Sequence, residues 1–470
     1  MDAFLSTVES QGFPLSVLDT QTSFSNIPYI FFYENSDGSP DFMDSDALRT
    51  AFYKTLAKYP ILAGHIRMDG HGQAKVVVDK DDLNMPEYLE TAVDDISYSA
   101  IKAAQFSTDT WPSGVATVGP IARAGAGGSL KLLNVHVVRL KNNSGAILFV
   151  NIPHYVVDGI GFFGFVNRWA EQTRNPEADI PSPCFDRSEI DSHLSGERRE
   201  QCDFIQKLYT TPTIPATFLA WLSPNSRGRI LDKAMNMISA DGHTFLVTRQ
   251  KLDSLRQQVL RHVSSGMRVS DNDLLTALIA KTMAQAQKST QTMFGRLLNR
   301  ETEQGIALIC DIRHRIGMAD IDYSGNALTS QSILNRLEQV EMPTTIESLA
   351  TIVESVRRAV DDLDAPLIAG FIDLINLHPT GFTRPMAYAA SHRANLLVSN
   401  QTRFRMYDAD FGHGAPALVT PIPIFVANVI AFMPSPPPSK DVRVFVSAES
   451  AVMQAFLTNE FCSSILELMY

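Results

Sequence analysis

A short segment in the first third of the chain places an imidazole and a carboxylate where a predicted strand meets a predicted helix. The apolar run 146–150 (AILFV) indicates a buried strand, and the apolar spacing over 160–172 indicates a helix. Residues 153–159 (PHYVVDG) join the two, with His154 at the end of the strand and Asp158 at the start of the helix. This succession favours a mixed α/β fold in which two rigid elements hold the joining turn.

His154 has the chemistry of a general base. The unperturbed imidazole pKa, about 6.5, lets this side chain accept and return protons near neutral pH. Asp158, four residues later, is placed to orient the ring or its backbone. Two structural interpretations stay open at this point: a core histidine bonded to backbone groups, and an aspartate that only caps its own helix.

The same spacing occurs a second time in the chain. Residues 65–70 (HIRMDG) repeat the pattern of 154–159, and with 11 histidines such a match arises by chance. His65 follows a helical pattern that Pro60 ends, and a predicted turn and strand come after it. No apolar run flanks it on both sides, so the sequence predicts that His65 is not catalytic.

Composition bounds the remaining possibilities. A chain of 470 residues predicts two domains, and 45% hydrophobic with 19% charged residues is typical of a globular protein. A net charge of −11 argues against a nucleic-acid partner or an anionic membrane surface. Four cysteines without C-x-x-C spacing argue against a disulfide framework or a zinc site. The N-terminus lacks a signal-peptide pattern, and prolines interrupt the late apolar stretch 419–433, so a cytoplasmic location is expected.

Both halves of the chain mix strands with helices. We predict a first half over 1–185, a crossover over 186–229 and a second half over 230–470. A hairpin is predicted from strands at 130–140 and 146–151. Further strands are predicted at 244–247, 305–310, 395–399, 424–432 and 442–446. Further helices are predicted at 250–263, at 345–363 and at 450–468. Another helix is predicted to begin at a capping box formed by Ser270 and Asp273.

Other chemistries have weaker support. A serine hydrolase normally shows G-x-S-x-G after a strand, and the chain contains no such segment. A metal site built on His154 and Asp158 needs further ligands, for which the sequence offers no clustered candidates. The glycine-rich segment 125–128 (GAGG) lacks the Lys-Ser/Thr and helix start of a phosphate-binding loop, so it predicts a flexible turn.

Two motifs resemble the signatures of one enzyme family. The turn at 154–159 and the segment 410–414 (DFGHG) are similar to the two signatures of the BAHD acyltransferases, which move an acyl group from coenzyme A to an alcohol or amine. Further matches follow the family's order at 14–19 (PLSVLD), 59–67 (YPILAGHIR), 269–278 (VSDNDLLTAL), 311–315 (DIRHR) with 325–326 (GN), and 398–410 (VSNQTRFRMYDAD). His413 and Gln401 stand where the family usually has tryptophan, which resembles its divergent fungal branch, such as the trichothecene acetyltransferases.

The resemblance implies a fold and a mechanism. The fold would be α/β, with two chloramphenicol-acetyltransferase-like domains of mixed β-sheets and flanking helices, and an active-site channel between them. His154 would take the proton from an acceptor hydroxyl and return it to the leaving thiolate, without an acyl-enzyme. Ser399, or Asn400 as the second candidate, would donate a hydrogen bond to the oxyanion. Asp158 would pair with Arg313 and hold the turn that presents His154.

The resemblance also assigns structural and cofactor roles. Gly159 and Arg313 are expected to be structural, together with the motif residues Asp410, Phe411, Gly412 and Gly414. His413 is left open between a packing histidine and a second acid–base group. The candidate contacts to the coenzyme A phosphates are Lys251, Arg268 and Ser270. The positive charge that the phosphates need is supplied in the second half by six basic side chains, most of which are expected on solvated helix faces: Lys251, Arg256, Arg261, Arg268, Lys281 and Lys288.

The implied partners are acyl-CoA, with acetyl-CoA favoured by the fungal resemblance, and a small-molecule alcohol. A monomer without a metal, nucleic acid or membrane partner is expected. An N-acyltransferase or a peptide-synthetase condensation domain is an alternative, although the latter usually carries a second histidine where this chain has Pro153. A non-catalytic small-molecule-binding protein of the same fold is the other alternative, and the intact His154 and Asp158 argue against it.

Overall fold

Three β-sheets and their flanking helices make up the described part of the chain. The computed structural model describes residues 1–22, 25–68, 73–123, 129–194, 196–203, 205–206, 240–291, 302–377, 395–422 and 426–470. The strands are β1 (Gln11–Pro14), β2 (Asn26–Glu34), β3 (His65–Met68), β4 (Ala74–Val78), β5 (Glu87–Ala92), β6 (Asn134–Arg139), β7 (Gly145–Pro153), β8 (Ala240–Val247), β9 (Glu303–Asp311), β10 (Leu328–Arg336), β11 (Leu396–Asn400), β12 (Leu418–Pro421), β13 (Val429–Pro434), β14 (Val442–Glu449) and β15 (Glu467–Leu468).

The helices lie on both halves of the chain, so the predicted mixed α/β class is confirmed. They are α1 (Asp2–Leu5), α2 (Val17–Gln21), α3 (Ser45–Lys58), α4 (Tyr98–Ala103), α5 (Gly159–Arg174), α6 (Ser188–His193), α7 (Arg249–Val259), α8 (Asp271–Thr290), α9 (Leu337–Glu341), α10 (Ile346–Asp362), α11 (Ala365–Leu377), α12 (Ser450–Leu457) and α13 (Glu460–Ile465). None of these described helices is both long enough and apolar enough to cross a bilayer.

The first half is built around β7, the central strand of a five-stranded sheet. The strand order is β12-β2-β7-β6-β5, and every residue of β7 is buried. Strands covered on both faces carry continuous apolar runs, which explains the sequence of β7. The helix α5 packs against α3, and Phe162, Phe165 and Trp169 of α5 enter the same hydrophobic core as the sheet. The end of β7 is therefore rigid.

The second half contains a seven-stranded sheet with the order β10-β9-β11-β13-β14-β8-β15. The inner strand β11 is parallel to both neighbours, β9 and β13. The long helix α8 lies against α10 and α12, with Leu274 and Leu278 in their common core. A capping box between Ser270 and Asp273 begins α8, as the sequence predicts.

One segment of the second half joins the first sheet. The strand β12 pairs antiparallel with β2, so that Leu418 lies opposite Phe32. Just before it, Met406 and Phe411 are buried in the core of the first half. The division at 185 and 229 stays a prediction, because more than half of the proposed crossover (207–229 of 186–229) lies outside the described residues.

Most predicted elements occur, with one clear error. The strand–turn–helix around His154 and the β6–β7 hairpin are confirmed, although β6 begins at Asn134 rather than at 130. The single helix predicted over 450–468 is wrong, because α12 ends before Thr458 and Asn459 caps the separate α13. The strand predicted from 424 begins at Val429, and the turn predicted at 125–128 lies outside the described residues.

Candidate active site

The backbone of His154 is held from three directions at the end of β7. Its amide donates to the carbonyl of Ser25 at 2.9 Å. Its carbonyl accepts from Thr22 Oγ1 and from Asn326 Nδ2, each at 2.7 Å. Thr22 and Ser25 follow α2 in the first half, whereas Asn326 comes from the second half. Both halves of the chain thus position the residue that carries the imidazole.

The imidazole of His154 is only partly exposed, and its Nδ1 atom is buried. Nδ1 makes no hydrogen bond of ordinary geometry with any described residue. Burial lowers the pKa of His154 below its ordinary value, and the negative charge of Asp158 opposes that shift. The ring is therefore neutral near pH 7, which is the state a general base requires.

Asp158 is completely buried and binds the backbone on both sides of the turn. Its Oδ1 accepts from the amides of Ile160 and Gly161, both at 3.1 Å, and thereby caps α5. Its Oδ2 lies 2.8 Å from Arg313 Nη1 and accepts from the Ala327 amide at 3.1 Å. Burial alone raises the pKa of Asp158, but the Arg313 charge and these hydrogen bonds outweigh it and keep the pKa below its ordinary value.

The ion pair expected between Asp158 and Arg313 is present, and it joins the two halves. The Arg313 side chain is 6% exposed and also donates to Asp311 and to the carbonyls of Tyr323 and Gly325. Removing one partner of such a buried pair leaves an uncompensated buried charge. The resulting loss of stability is larger than the loss on removing an exposed ion pair. The described partners of the Asp158 carboxylate are thus backbone amides of the turn and of the second half, together with Arg313.

Gly159 accommodates an aromatic ring from the second half. A Cβ atom at this position would lie 2.3 Å from Phe404 Cζ, which is closer than real Cβ contacts allow. The Phe404 ring also packs against Phe163 of α5, with 5.6 Å between ring centroids. The motif glycine is thus explained by close packing between the two halves.

Ser399 and Asn400 are the last two residues of the inner strand β11, and their side chains differ in what they bind. Ser399 Oγ accepts from Gln401 Nε2 at 3.4 Å, while Gln401 Oε1 accepts from Tyr29 OH at 2.8 Å. Because Ser399 is an acceptor there, its own O–H remains available as a donor. Asn400 donates to Asn272 Oδ1 at 3.0 Å and accepts from Thr402 Oγ1 at 2.7 Å. These contacts favour Ser399 over Asn400 as an oxyanion donor.

The 410–414 motif forms a turn that anchors the second half to the first core. Asp410 Oδ1 accepts from the amides of Gly412 and Gly414 at 2.7 and 3.0 Å, and both glycines have positive φ angles of 103° and 92°. Phe411 packs edge-on against Trp169, with 4.9 Å between centroids. His413 is exposed, and its ring lies 5.0 Å from that of Phe42. This geometry is structural and favours a packing role for His413.

The three cofactor candidates differ in availability. Lys251 Nζ lies 2.9 Å from Glu467, and Ser270 Oγ accepts from the Asp273 amide in the cap of α8, which leaves its own O–H available. Arg268 is exposed and has no ion-pair partner among the residues that the structure describes, and the same holds for Arg261. Lys281 does not lie on a solvated face: it is buried and donates to the carbonyl of Gln339. No described group of three or more His, Cys, Asp or Glu side chains could hold a metal ion.

Three contacts of the His154 turn are not predicted from the sequence. They come from Thr22, Asn326 and Arg187, the last of which donates to the Val156 carbonyl at 2.7 Å. A local signal exists only for α2, where Ser16 and Asp19 have the spacing of a capping box. Nothing in the adjacent sequence indicates that Arg187 or Asn326 reaches a turn so far away along the chain.

A family model described as the Transferase family matches residues 5–461. The chain belongs to this family, the BAHD acyltransferases. It is 24% identical over 464 residues to tryptamine benzoyltransferase 1 of Oryza sativa subsp. japonica, covering 97% of this chain and 93% of the relative. It is 23% identical over 423 residues to rosmarinate synthase of Plectranthus scutellarioides, covering 89% and 87%.

Solved structures of this family share the fold of the BAHD protein described here. The crystal structure of F. sporotrichioides TRI101 with coenzyme A and T-2 aligns with a TM-score of 0.70 at 16% identity, covering 98% of this chain and 100% of TRI101. Vinorine synthase aligns with a TM-score of 0.63 at 17% identity, covering 97% and 94%. The predicted two-domain fold is confirmed, and the protein is a CoA-dependent acyltransferase that transfers groups other than aminoacyl groups.

Proposed function

We propose that this BAHD enzyme is an O-acyltransferase that moves an acyl group, acetyl in the first instance, from acyl-CoA to a hydroxyl of a small secondary metabolite. His154 is the general base. The observation that carries the proposal is a neutral imidazole whose backbone is bonded by residues of both halves, while its ring nitrogens are left without ordinary hydrogen bonds to described residues.

The reaction proceeds in one ternary complex. The acceptor O–H gives its proton to His154 Nε2 while its oxygen attacks the thioester carbonyl carbon. The resulting oxyanion accepts a hydrogen bond from Ser399 Oγ, which is an available donor. The C–S bond then breaks, and the imidazolium returns the proton to the leaving thiolate, so the products are an ester and free coenzyme A. No acyl-enzyme is needed, because one residue handles the proton in both directions.

The proposed acyl donor and acyl acceptor are supported by exposed basic side chains and by two related proteins. Arg268 and Arg261, exposed and without described ion-pair partners, are available for the coenzyme A phosphates. TRI101, a structural relative, has been crystallised with coenzyme A and T-2. Tryptamine benzoyltransferase 1 is named for an amine acceptor, so an N-acyl product is the outcome that would revise the acceptor class. A cytoplasmic monomer with an active-site channel between the halves completes the proposal.

The experiment is a release assay for free thiol. Purified protein is incubated with acetyl-CoA and, in turn, hydroxylated terpenoids, polyketides, alkaloids and matching amines, and products are identified by mass spectrometry. We expect acceptor-dependent thiol release and an O-acetyl product with at least one hydroxylated compound. The His154→Ala variant serves as the control. Amide products from the amines alone, or equal release by wild type and His154→Ala, would contradict the proposal.

A further inference from the structure

A second buried carboxylate, Asp19, lies beside the His154 turn. Asp19 is 0% exposed, and its Oδ2 pairs with Arg187 Nε at 3.0 Å; the Arg187 side chain is 4% exposed. The same oxygen accepts from the amide and the hydroxyl of Ser16 at 2.8 and 2.9 Å. Asp19 is thus fixed from several sides, and neither it nor Arg187 takes part in the reaction steps above.

The other oxygen of Asp19 fixes the orientation of Asn326. Asp19 Oδ1 accepts from the Asn326 amide at 3.1 Å and from Asn326 Nδ2 at 2.9 Å. The same Nδ2 donates to the carbonyl of His154 at 2.7 Å. A carboxylate and a carbonyl only accept hydrogen bonds, so the amide nitrogen must face both of them. This settles which way the Asn326 side chain is turned and directs its Oδ1 away from Asp19.

Two buried polar atoms remain without partners at this point of the structure. Asn326 Oδ1 makes no hydrogen bond with a described residue, and neither does His154 Nδ1. An unpaired buried polar atom is destabilising, so two such atoms that lie near each other gain by binding one another. One is an acceptor and the other is able to donate, and Asn326 Nδ2 already binds the His154 carbonyl.

We propose that Asn326, held by Asp19, is the positioning residue that orients the imidazole of His154. Asn326 Oδ1 faces Nδ1–H, which leaves the lone pair on Nε2 for the acceptor proton. When His154 becomes an imidazolium, Nδ1–H donates to Oδ1, so the charged intermediate gains a hydrogen bond that the resting state lacks. The inference rests on the proposed function, because it assigns His154 the role of the base.

The charges around the ring agree with this assignment. Burial is the largest influence on the pKa of His154 and lowers it, whereas the Asp158 carboxylate, the residue's own backbone, the Asn326 side chain and the Asp19 carboxylate raise it. Each carboxylate is paired, Asp158 with Arg313 and Asp19 with Arg187. An acceptor atom directed at the ring has this effect, whereas a donor would lower the pKa.

The backbone at Asn326 and Ala327 is held by the two buried carboxylates, Asp19 and Asp158. The amide of Asn326 binds Asp19, and the next amide, that of Ala327, binds Asp158. Two carboxylates near the two ends of the His154 turn therefore hold consecutive peptide groups of the second half. A Cβ atom at Gly325 would lie 2.7 Å from Arg187 Cζ, so this glycine leaves room for the guanidinium.

The test is the reactivity of His154 towards diethyl pyrocarbonate, which acylates only the neutral imidazole. The extent of modification of the peptide containing His154 is followed by mass spectrometry as a function of pH, so the readout needs no substrate. Without Asn326 the influence that raises the pKa is lost, so in Asn326→Ala we expect His154 to stay reactive to lower pH than in wild type. We also expect kcat with acetyl-CoA to fall by about 10–100-fold, a typical loss for a partner that orients an imidazole, with KM for acetyl-CoA unchanged.

Asn84→Ala is the matched control. Asn84 is also buried, and its Nδ2 donates to two backbone carbonyls, those of Gly64 and Leu130, at 3.0 and 2.8 Å. It should lose comparable stability without moving the His154 titration. Asn326→Ser, which removes the acceptor from the ring but keeps a small polar group, replaces Asn326→Ala if the latter does not fold.

The outcomes separate this inference from the proposed function. An unchanged His154 titration in a folded Asn326 variant, with His154→Ala inactive, overturns the positioning role and leaves the base in place. Full activity in His154→Ala overturns the proposed function itself. A shift in both the Asn326 and Asn84 variants shows a general effect of lost packing and also overturns the inference.

Discussion

His65 and His154 begin identical sequence patterns and have different surroundings. His65 lies on β3 at the edge of the small sheet β1-β4-β3. Its Nδ1 lies 3.1 Å from Ser129 Oγ, and its Nε2, which has no hydrogen bond with a described residue, lies 3.7 Å from Asp82 Oδ2. His154 ends the buried strand β7, and neither ring nitrogen has an ordinary hydrogen bond with a described residue. Asp69 and Gly70, which complete the first pattern, lie outside the described residues.

The comparison teaches that the spacing alone does not make a site. What distinguishes His154 is a set of contacts from distant parts of the chain, above all Arg313 on Asp158 and Asn326 on the His154 carbonyl. These contacts fix the backbone and leave the ring free to exchange a proton. At His65 the contacts are made to the ring itself, which suits a structural histidine.

Replacing each histidine tests this contrast with the largest expected effect. His154→Ala should lower kcat by roughly 10²–10⁴-fold with folding retained, the usual range for the loss of a general base. His65→Ala should keep wild-type turnover, since that ring is bonded to structural partners. Both are measured by thiol release at saturating acetyl-CoA. Equal losses in the two variants would remove the distinction.

The secondary structure around His154 is predictable from the sequence, whereas the contacts with residues far away along the chain are not. The buried run of β7 and the start of α5 are local patterns, and so is the capping box of α8. The pairing of β12 with β2 joins segments almost 400 positions apart, which no local pattern encodes. The same is true of Asn326, whose bond to the His154 carbonyl spans 172 positions.

The site residues, too, are in part predictable from the sequence and in part not. The Asp158–Arg313 pair follows from a family resemblance that covers most of the chain, and the structure contains it. Arg187 lies in a segment without a periodic pattern, so its bonds to Asp19 and Val156 only emerge once the halves are packed. The break between α12 and α13 is missed because the apolar pattern continues through it while Asn459 starts a new helix.

Removing Arg313 should weaken the anchor of the His154 turn. Arg313→Ala leaves the buried Asp158 carboxylate unpaired, and we expect a loss of about 3–5 kcal/mol in the free energy of unfolding together with lower activity. The measurement is urea denaturation. The exposed pair of Arg358 with Glu354 is the control, and Arg358→Ala should change stability by less than about 1 kcal/mol.

The same pair predicts a pH dependence. The pKa of Asp158 is held below its ordinary value, so its stabilising charge is fully present above the ordinary pKa and is lost as the pH falls through the folded-state value. The stability difference between wild type and Arg313→Ala should therefore shrink on acidification. A difference that stays constant down to acid unfolding would mean that Arg313 stabilises the fold without Asp158.

Ser399→Ala tests whether the second half supplies the oxyanion donor for the reaction at His154. Loss of one oxyanion donor typically lowers kcat by about 10²–10³-fold, and we expect a value in this range with little change in KM. Asn400→Ala should instead lower stability, because Asn400 bonds Asn272 and Thr402. Unaltered turnover in Ser399→Ala would remove this residue from the oxyanion role.

Gly159→Ala should have the smallest effect of the series. The added methyl group meets the Phe404 ring, and overpacking of this kind costs about 1–3 kcal/mol. Gly164→Ala, on the same helix, meets Arg168 Nη1 at 3.2 Å and Tyr59 OH at 3.6 Å, which is less close than the Phe404 contact, so it should cost less than Gly159→Ala. Thermal melting of both variants gives the comparison, and equal melting temperatures would contradict the packing argument.

The most direct test of the central claim is the pH profile of kcat/KM, which reports the ionisation of the free enzyme's base. Burial lowers the pKa of His154, so activity should persist below the ordinary histidine value of 6.5 and then fall as the ring takes up a proton. In His154→Ala the residual activity should lack this inflection. An acid limb that stays at the same pH after His154 is replaced would show that another group is the base.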